Sequence, residues 1–165
     1  MTVFFMHIPK TGGGFVRLAI RELGLPAKVC GSHMRALSGV GHQYFTSIRH
    51  PLTWYQSMWR YRMQSGWVGD FMPGDAAFVS DSFDEFVRRA TPGYYTQICD
   101  GYIDADTIVI RQESLVEDLI GLFKDERIKG LPPTNVSSIE CNHTPETIAK
   151  IVGSEADFIA KYYPR

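Results

Sequence analysis

The chain opens with a short and almost continuously apolar run, Thr-Val-Phe-Phe-Met-His-Ile over residues 2–8, whose aromatic and branched side chains predict a strand buried on both faces. A glycine cluster ends it. From Phe15 onward Val16, Ala19, Ile20 and Leu23 recur at helical spacing, and Gly24 with Pro26 supplies the stop. Residues 27–30 form a weak second strand and residues 44–48 a stronger third, ending at Arg49-His50-Pro51. Trp54, Met58 and Tyr61 then fall on one side of a helix over 52–64. Residues 66–80 mix Gly, Pro and Asp with aromatics and predict an irregular excursion. Ser82 and Glu85 form a capping box for a helix that runs to Ala90 and is closed by Thr91-Pro92-Gly93. Residues 107–110 are another buried strand, followed by an amphipathic helix marked by Leu115, Leu119, Leu122 and Phe123. A charged, Gly- and Pro-containing loop over 124–138 leads to two short helices, one begun by Thr144-Pro145 and the other by Ser154 with Asp157. This alternation predicts a three-layer α/β fold with a mainly parallel central sheet flanked by helices.

Length changes this picture little, since 165 residues support one hydrophobic core and hence a single domain over 1–165. Charge changes it more. Lys and Arg number 17 against 18 Asp and Glu, so no general attraction to nucleic acid or an anionic membrane is expected, and any anion site must be local. Cys30, Cys99 and Cys141 are odd in number and widely spaced, which argues against a disulfide framework or a structural zinc site. With no basic leader before an apolar run and no stretch long enough for a membrane span, the chain reads as cytoplasmic.

The candidate chemistry lies where the first strand meets the first helix. Backbone N–H groups converge at such a helix start, and the helix dipole adds positive potential. In Pro9-Lys10-Thr11-Gly12-Gly13-Gly14 the glycines admit close approach of a phosphate, Lys10 adds a mobile charge and Thr11 a hydroxyl. A Walker A loop has its lysine after the glycines; here it comes first. Metal-dependent phosphoryl transfer also calls for an acid at a later strand end. The third strand ends in Arg49 and the fourth in Arg111-Gln112-Glu113.

His7-Ile-Pro-Lys-Thr-Gly-Gly-Gly14 resembles the HIPKTGGT loop of the sulfotransferase superfamily, in particular its carbohydrate-acting members. The resemblance implies a P-loop-type fold in which the loop grips the 5′-phosphosulfate of 3′-phosphoadenosine-5′-phosphosulfate. Lys10 would then contact the oxygen bridging to the sulfuryl group. Arg49-His-Pro-Leu-Thr-Trp-Tyr-Gln-Ser57 is similar to the family's RDPxxRxxS segment, which implies that Arg49 and Ser57 bind the nucleotide's 3′-phosphate. Such a doubly charged group suits a guanidinium and a hydroxyl. The chain departs from the family pattern at Gly14, which replaces a Thr or Ser, at His50, which replaces Asp, and at Trp54, which replaces a second Arg. Residues 109–115 and the two last helices also look like family elements, whereas residues 133–143 lack the basic residue of the family's closing loop, leaving Lys129 or Arg127 as substitutes.

Sulfuryl transfer through a loose transition state rests on positioning and electrostatics, and the acceptor needs a base. His33, after the second strand, is the first candidate, because family members carry a histidine at the mouth of the site; Lys10 serves the leaving oxygen. His7 reads as a packed residue or loop support, and His42, His50 and Glu113 as lesser candidates for the base. About half of Trp54, Tyr55, Trp59, Tyr61, Trp67 and Phe71 are expected in the core and the rest beside an acceptor, with Arg60 and Arg62 as solvated charges or anion recruiters. The expected function is therefore metal-independent sulfuryl transfer from the phosphosulfate donor to the hydroxyl of a small-molecule or carbohydrate acceptor. A non-catalytic nucleotide-binding module and a metal-dependent small-molecule kinase are the alternatives.

Overall fold

The computed structural model describes residues 3–30, 42–69, 71–134 and 139–164. Four strands, β1 (Val3–Met6), β2 (Ala27–Val29), β3 (Gln43–Ile48) and β4 (Ile108–Arg111), form one sheet in the order β2-β1-β3-β4, and every neighbouring pair is parallel. The protein is thus α/β, with an all-parallel sheet flanked by helices. The chain falls into two compact units, Met1–Arg49 with Ile98–Val136 and His50–Gln97 with Ser137–Arg165. Among the described residues no helix is long and apolar enough to cross a membrane.

The first unit holds the sheet. Along β1 and β3 alternate side chains point to one face, so Val3, Phe5 and Phe45 join Ile110 of β4 in a single apolar cluster. Helix α1 (Gly13–Leu23) lays Phe15, Val16 and Ala19 on that cluster. Its end is the expected one, with Gly24 in the left-handed region at φ 63°. After β4 a 3₁₀ turn over Gln112–Ser114 leads into α5 (Leu115–Phe123), which adds Leu115 and Leu119. The expected loop after it contains a second 3₁₀ turn, Glu126–Gly130, whose Ile128 is fully buried in the same cluster.

The chain leaves β1 for β2 on one side of the sheet and leaves β3 for β4 on the other, so the strand order reverses at the β1/β3 seam. Open α/β sheets leave a crevice at the carboxyl ends of their strands at such a reversal.

The second unit is built on aromatic packing. It contains α2 (Pro51–Ser65), α3 (Phe83–Arg89), most of α4 (Tyr94–Asp100), α6 (Pro145–Ser154) and α7 (Ala156–Tyr162). Trp54 is fully buried and stacks on Tyr95 with ring centroids 4.6 Å apart, while Tyr95 meets Phe158 at 5.0 Å. The segment after α2 is stapled by Arg62. Its Nε lies 3.2 Å from Oδ2 of the fully buried Asp75, its guanidinium donates to the carbonyl of Gly69, and it sits 4.9 Å from the Trp67 ring centroid. Arg62 is therefore a structural cation rather than a solvated charge or an anion recruiter. Arg60 donates to the Ile139 carbonyl at 2.7 Å.

Helix α4 has no counterpart among the elements that the sequence pattern predicts. Its residues, Tyr-Tyr-Thr-Gln-Ile-Cys-Asp, are, Gln97 apart, weak helix formers. The cap comes from Glu155, 60 residues beyond Tyr95. The Glu155 carboxylate is almost fully buried and accepts from the backbone N–H groups of Tyr95 and Thr96, each at 3.0 Å, and from the Thr96 hydroxyl. The Tyr55 hydroxyl donates to the same group at 2.7 Å. Burial, with the adjacent Glu155 charge, pushes the Tyr55 phenol far above its usual range and keeps it a donor. Glu155 also precedes α7, where Ser154 was expected to start the helix; Ser154 instead closes α6 and donates to Ile151 O at 3.2 Å.

The expected capping box of α3 is half formed. Ser82 Oγ accepts from Glu85 N–H, but the Ser82 N–H donates to Ser80 Oγ. The Glu85 carboxylate turns instead to Arg88 and Arg89, whose hydrogen bonds hold its pKa at about 2.

Glu155→Ala should lower stability by about 3 kcal/mol or more, because four donors lose a buried acceptor at once. Glu155→Gln, which keeps one acceptor oxygen, should lose clearly less, and Tyr55→Phe about 1 kcal/mol. Urea denaturation would show this order in the midpoints; equal midpoints for wild type and Glu155→Ala would exclude the capping role.

Candidate functional site

Beyond β1 the chain turns sharply through Pro9 and Lys10 before entering α1. Lys10 adopts φ 68°, a left-handed conformation uncommon outside glycine. Thr11 is fully buried and its hydroxyl donates to the carbonyl of Ile8 at 2.7 Å. With that proton committed, the Ser47 hydroxyl of β3 donates to Thr11 Oγ1 at 3.0 Å. One residue earlier, Thr46 donates across the seam to Met6 O at 2.6 Å. The loop is thereby fastened to the neighbouring strand, and the Thr11 side chain serves that fastening.

Gly12 sits at φ 89°, and a Cβ there would lie 2.8 Å from Leu115 Cδ2 and 3.2 Å from Gln112 Cγ. Both the backbone conformation and the packing of the α5 entrance require glycine. At Gly13 the obstacle is His7, since a Cβ would come within 2.0 Å of its ring. The imidazole is itself fixed: Arg17 donates to Nδ1 at 3.0 Å, and because a guanidinium can only donate, the ring is neutral with its proton on Nε2. His7 is thus the loop support that its place in the sequence suggested.

The first helical bonds of α1 run from Phe15 and Val16 N–H to Gly12 O, at 3.0 and 3.3 Å. The amides of Gly13 and Gly14 precede them and have no acceptor within the helix, so they stand at the positive end of an 11-residue helix. Gly14 is half-buried, in the first turn.

Arg49 follows β3 as Lys10 follows β1, and the two strands are paired through Met6 and Thr46. Desolvation lowers the Lys10 pKa below the ordinary lysine value, and the charge of Arg49 lowers it further. The structure therefore brings Lys10 and Arg49 within electrostatic reach at the reversal in strand order. Arg111, exposed at the end of β4, pairs in register with Ile48, the residue before Arg49.

Of the other expected residues, Ser57 is half-buried on α2 and belongs to the second unit. His33 lies outside the described residues. His42 packs on Phe4 at 4.8 Å, His50 precedes α2 with its ring 5.1 Å from Tyr163, and Glu113 is exposed in the turn after β4. Trp54, Tyr55 and Trp59 are buried; Tyr61, Trp67 and Phe71 are half-buried, with Tyr61 and Phe71 paired at 4.5 Å. Trp54 is thus a core residue of the second unit. Thr46, Ser47, Gln112 and Arg17 were not anticipated as parts of the loop's support. The signal for the first two was present, as adjacent hydroxyl residues in an otherwise apolar strand.

Among the described residues no group of three or more His, Cys, Asp or Glu side chains is arranged to hold a metal ion. No family model matches the sequence, and no curated protein matches it.

Gly13→Ala should cost about 1–3 kcal/mol through collision with the His7 ring. His7→Ala/Gly13→Ala should recover much of that loss, because the added methyl enters the space the ring vacated. Thermal denaturation of the four proteins gives the coupling; additive effects would show that the contact is not what limits Gly13.

Proposed function

We propose that this chain binds the anionic groups of 3′-phosphoadenosine-5′-phosphosulfate and transfers its sulfuryl group to an acceptor hydroxyl, as a divergent relative of the carbohydrate sulfotransferases with a P-loop-type fold. The observation that carries this reading is the pairing of Lys10 with Arg49. Two cations held close together, one of them partly desolvated, repel each other, and a multiply charged anion relieves that cost. The backbone amides of Gly13 and Gly14, at the start of α1, are the donors assigned to such an anion.

The roles divide by place. Lys10 and the loop amides serve the 5′ end of the donor, where negative charge grows on the leaving oxygen. Arg49 serves the 3′-phosphate, with Ser57 assigned to the same group on the resemblance alone. Lysine ahead of the glycines and arginines at the ends of β3 and β4 favour sulfuryl transfer over the metal-dependent phosphoryl alternative, which needs an acid there. His33 remains the proposed base. A second reading, nucleotide binding without turnover, is favoured by Trp54. The residue that replaces the family's second arginine is buried in aromatic packing and offers no charge.

Calorimetry should show adenosine 3′,5′-bisphosphate binding without magnesium. Lys10→Ala and Arg49→Ala should each weaken it about 10- to 100-fold, the worth of a charge-assisted hydrogen bond. Labelled donor should pass its label to a sugar, phenol or lipid hydroxyl with wild type and not with Lys10→Ala. Binding without label transfer to any of these acceptors supports the second reading; binding of ATP with magnesium in preference to the bisphosphate contradicts both.

A further inference from the structure

Helix α7, Ala-Asp-Phe-Ile-Ala-Lys-Tyr, is apolar on two sides, with Asp157 and Lys161 as its charged residues. The inner side is accounted for, since the buried Phe158 meets Tyr95 at 5.0 Å and Tyr162 at 4.7 Å. Ala156, Ile159, Ala160 and Tyr163 recur at the i, i+3, i+4, i+7 spacing of a second stripe on another side. A surface helix ordinarily gives that side to polar residues. Here the stripe lines a groove of about 380 Å³, together with Val152 of α6 and Pro164. Ala156, Ala160 and Pro164 are exposed, Ile159 and Tyr163 are half-buried, and Val152 keeps 40% of its surface exposed.

The charges beside the stripe say what fits it. Asp157 and Lys161 are both exposed and lie one turn apart along the same edge, while the opposite edge of α7 offers no exposed charge. In a two-fold dimer with the helices antiparallel, each edge of the stripe faces the same edge of its copy. An axis passing at Ile159 then sets Asp157 opposite Lys161 of the second copy, and Lys161 opposite Asp157. Parallel pairing brings unlike edges together and leaves both charges without an opposite. We propose that the outer side of α7 is a self-association surface, on which two copies of this chain pair antiparallel through Ala156, Ile159, Ala160 and Tyr163, with Asp157 of each meeting Lys161 of the other. The small Ala156 and Ala160 let the two helices approach closely, with Ile159 and Tyr163 packed beside them. The groove has few lining residues beside the roughly 20–30 per side of a standard interface, so the dimer is weak and depends on concentration. This surface is independent of whatever the loop after β1 binds.

Sedimentation velocity on the full chain should show the apparent mass rising from monomer towards dimer between about 10 μM and about 1 mM protein. Ala160→Glu sets a carboxylate in the seam and should keep the protein monomeric throughout, with little change in melting temperature because the position is exposed. Asp157→Lys and Lys161→Asp each place like charges across the seam at two symmetry-related contacts, and each should weaken association about tenfold. Mixed together, these two variants should pair with each other, because the acids of one then face the bases of the other. Misfolding of either variant cannot produce that recovery. A wild-type chain that stays monomeric at about 1 mM, a dimer that Ala160→Glu leaves intact, or charge variants that do not combine on mixing would overturn the proposal. So would a monomer that binds vesicles of phosphatidylcholine with phosphatidylserine and releases them on Ala160→Glu, which would give the face to a membrane surface.

Discussion

Two hydroxyl groups on β3 fasten it to β1 and to the loop that follows β1. Thr46 donates to Met6 O and Ser47 to Thr11 Oγ1, so the β1/β3 seam is closed by side chains as well as by the ladder. Buried hydroxyls are costly unless satisfied, and here each finds its partner in the first strand or the loop that follows it. The consequence is that the loop after β1 cannot move independently of the end of β3. Lys10 and Arg49, which follow those two strands, keep their proximity because of it. Both glycine positions obey the same constraint, since Gly12 is pressed by the α5 entrance and Gly13 by the His7 ring.

The second unit reaches order by a different route. Apart from α2 its helices are short, and one of them, α4, has few residues that favour the helical state. Glu155 compensates by capping α4 from a distant point of the chain while accepting from Tyr55 in α2. Arg62 performs the matching task for the irregular segment after α2, through Asp75, Gly69 and Trp67. A buried anion and a buried cation thus organise a unit whose remaining cohesion is aromatic.

Much of this architecture was legible in the sequence, because apolar period and glycine punctuation act locally. The strand, glycine turn and helix of residues 3–23 follow from the almost continuous apolar run over 2–8, the helical spacing of Val16, Ala19, Ile20 and Leu23 and the stop at Gly24. What could not be read depended on partners distant in the chain. Helix α4 needs a carboxylate about 60 residues away, and the Arg62–Asp75 pair buries a helix cation against an acid in a stretch that reads as an irregular surface excursion. At the candidate site the cations and glycines were visible as a pattern. The inward commitment of the Thr11 hydroxyl was not, because it depends on Ser47 of a neighbouring strand, 36 residues on.

If Lys10 and Arg49 form one anion site, the Lys10 ammonium reports on it directly. Its pKa is depressed because desolvation and a neighbouring cation favour the neutral form; a bound anion favours the charged form, so binding takes up a proton and raises the value. Nuclear magnetic resonance titration of the Lys10 side chain should therefore give a midpoint below that of the exposed lysines in the free protein. Arg49→Ala should move that midpoint upward, and in the wild type saturating adenosine 3′,5′-bisphosphate should move it further in the same direction. A midpoint equal to that of the exposed lysines and unmoved by either change would contradict a shared site.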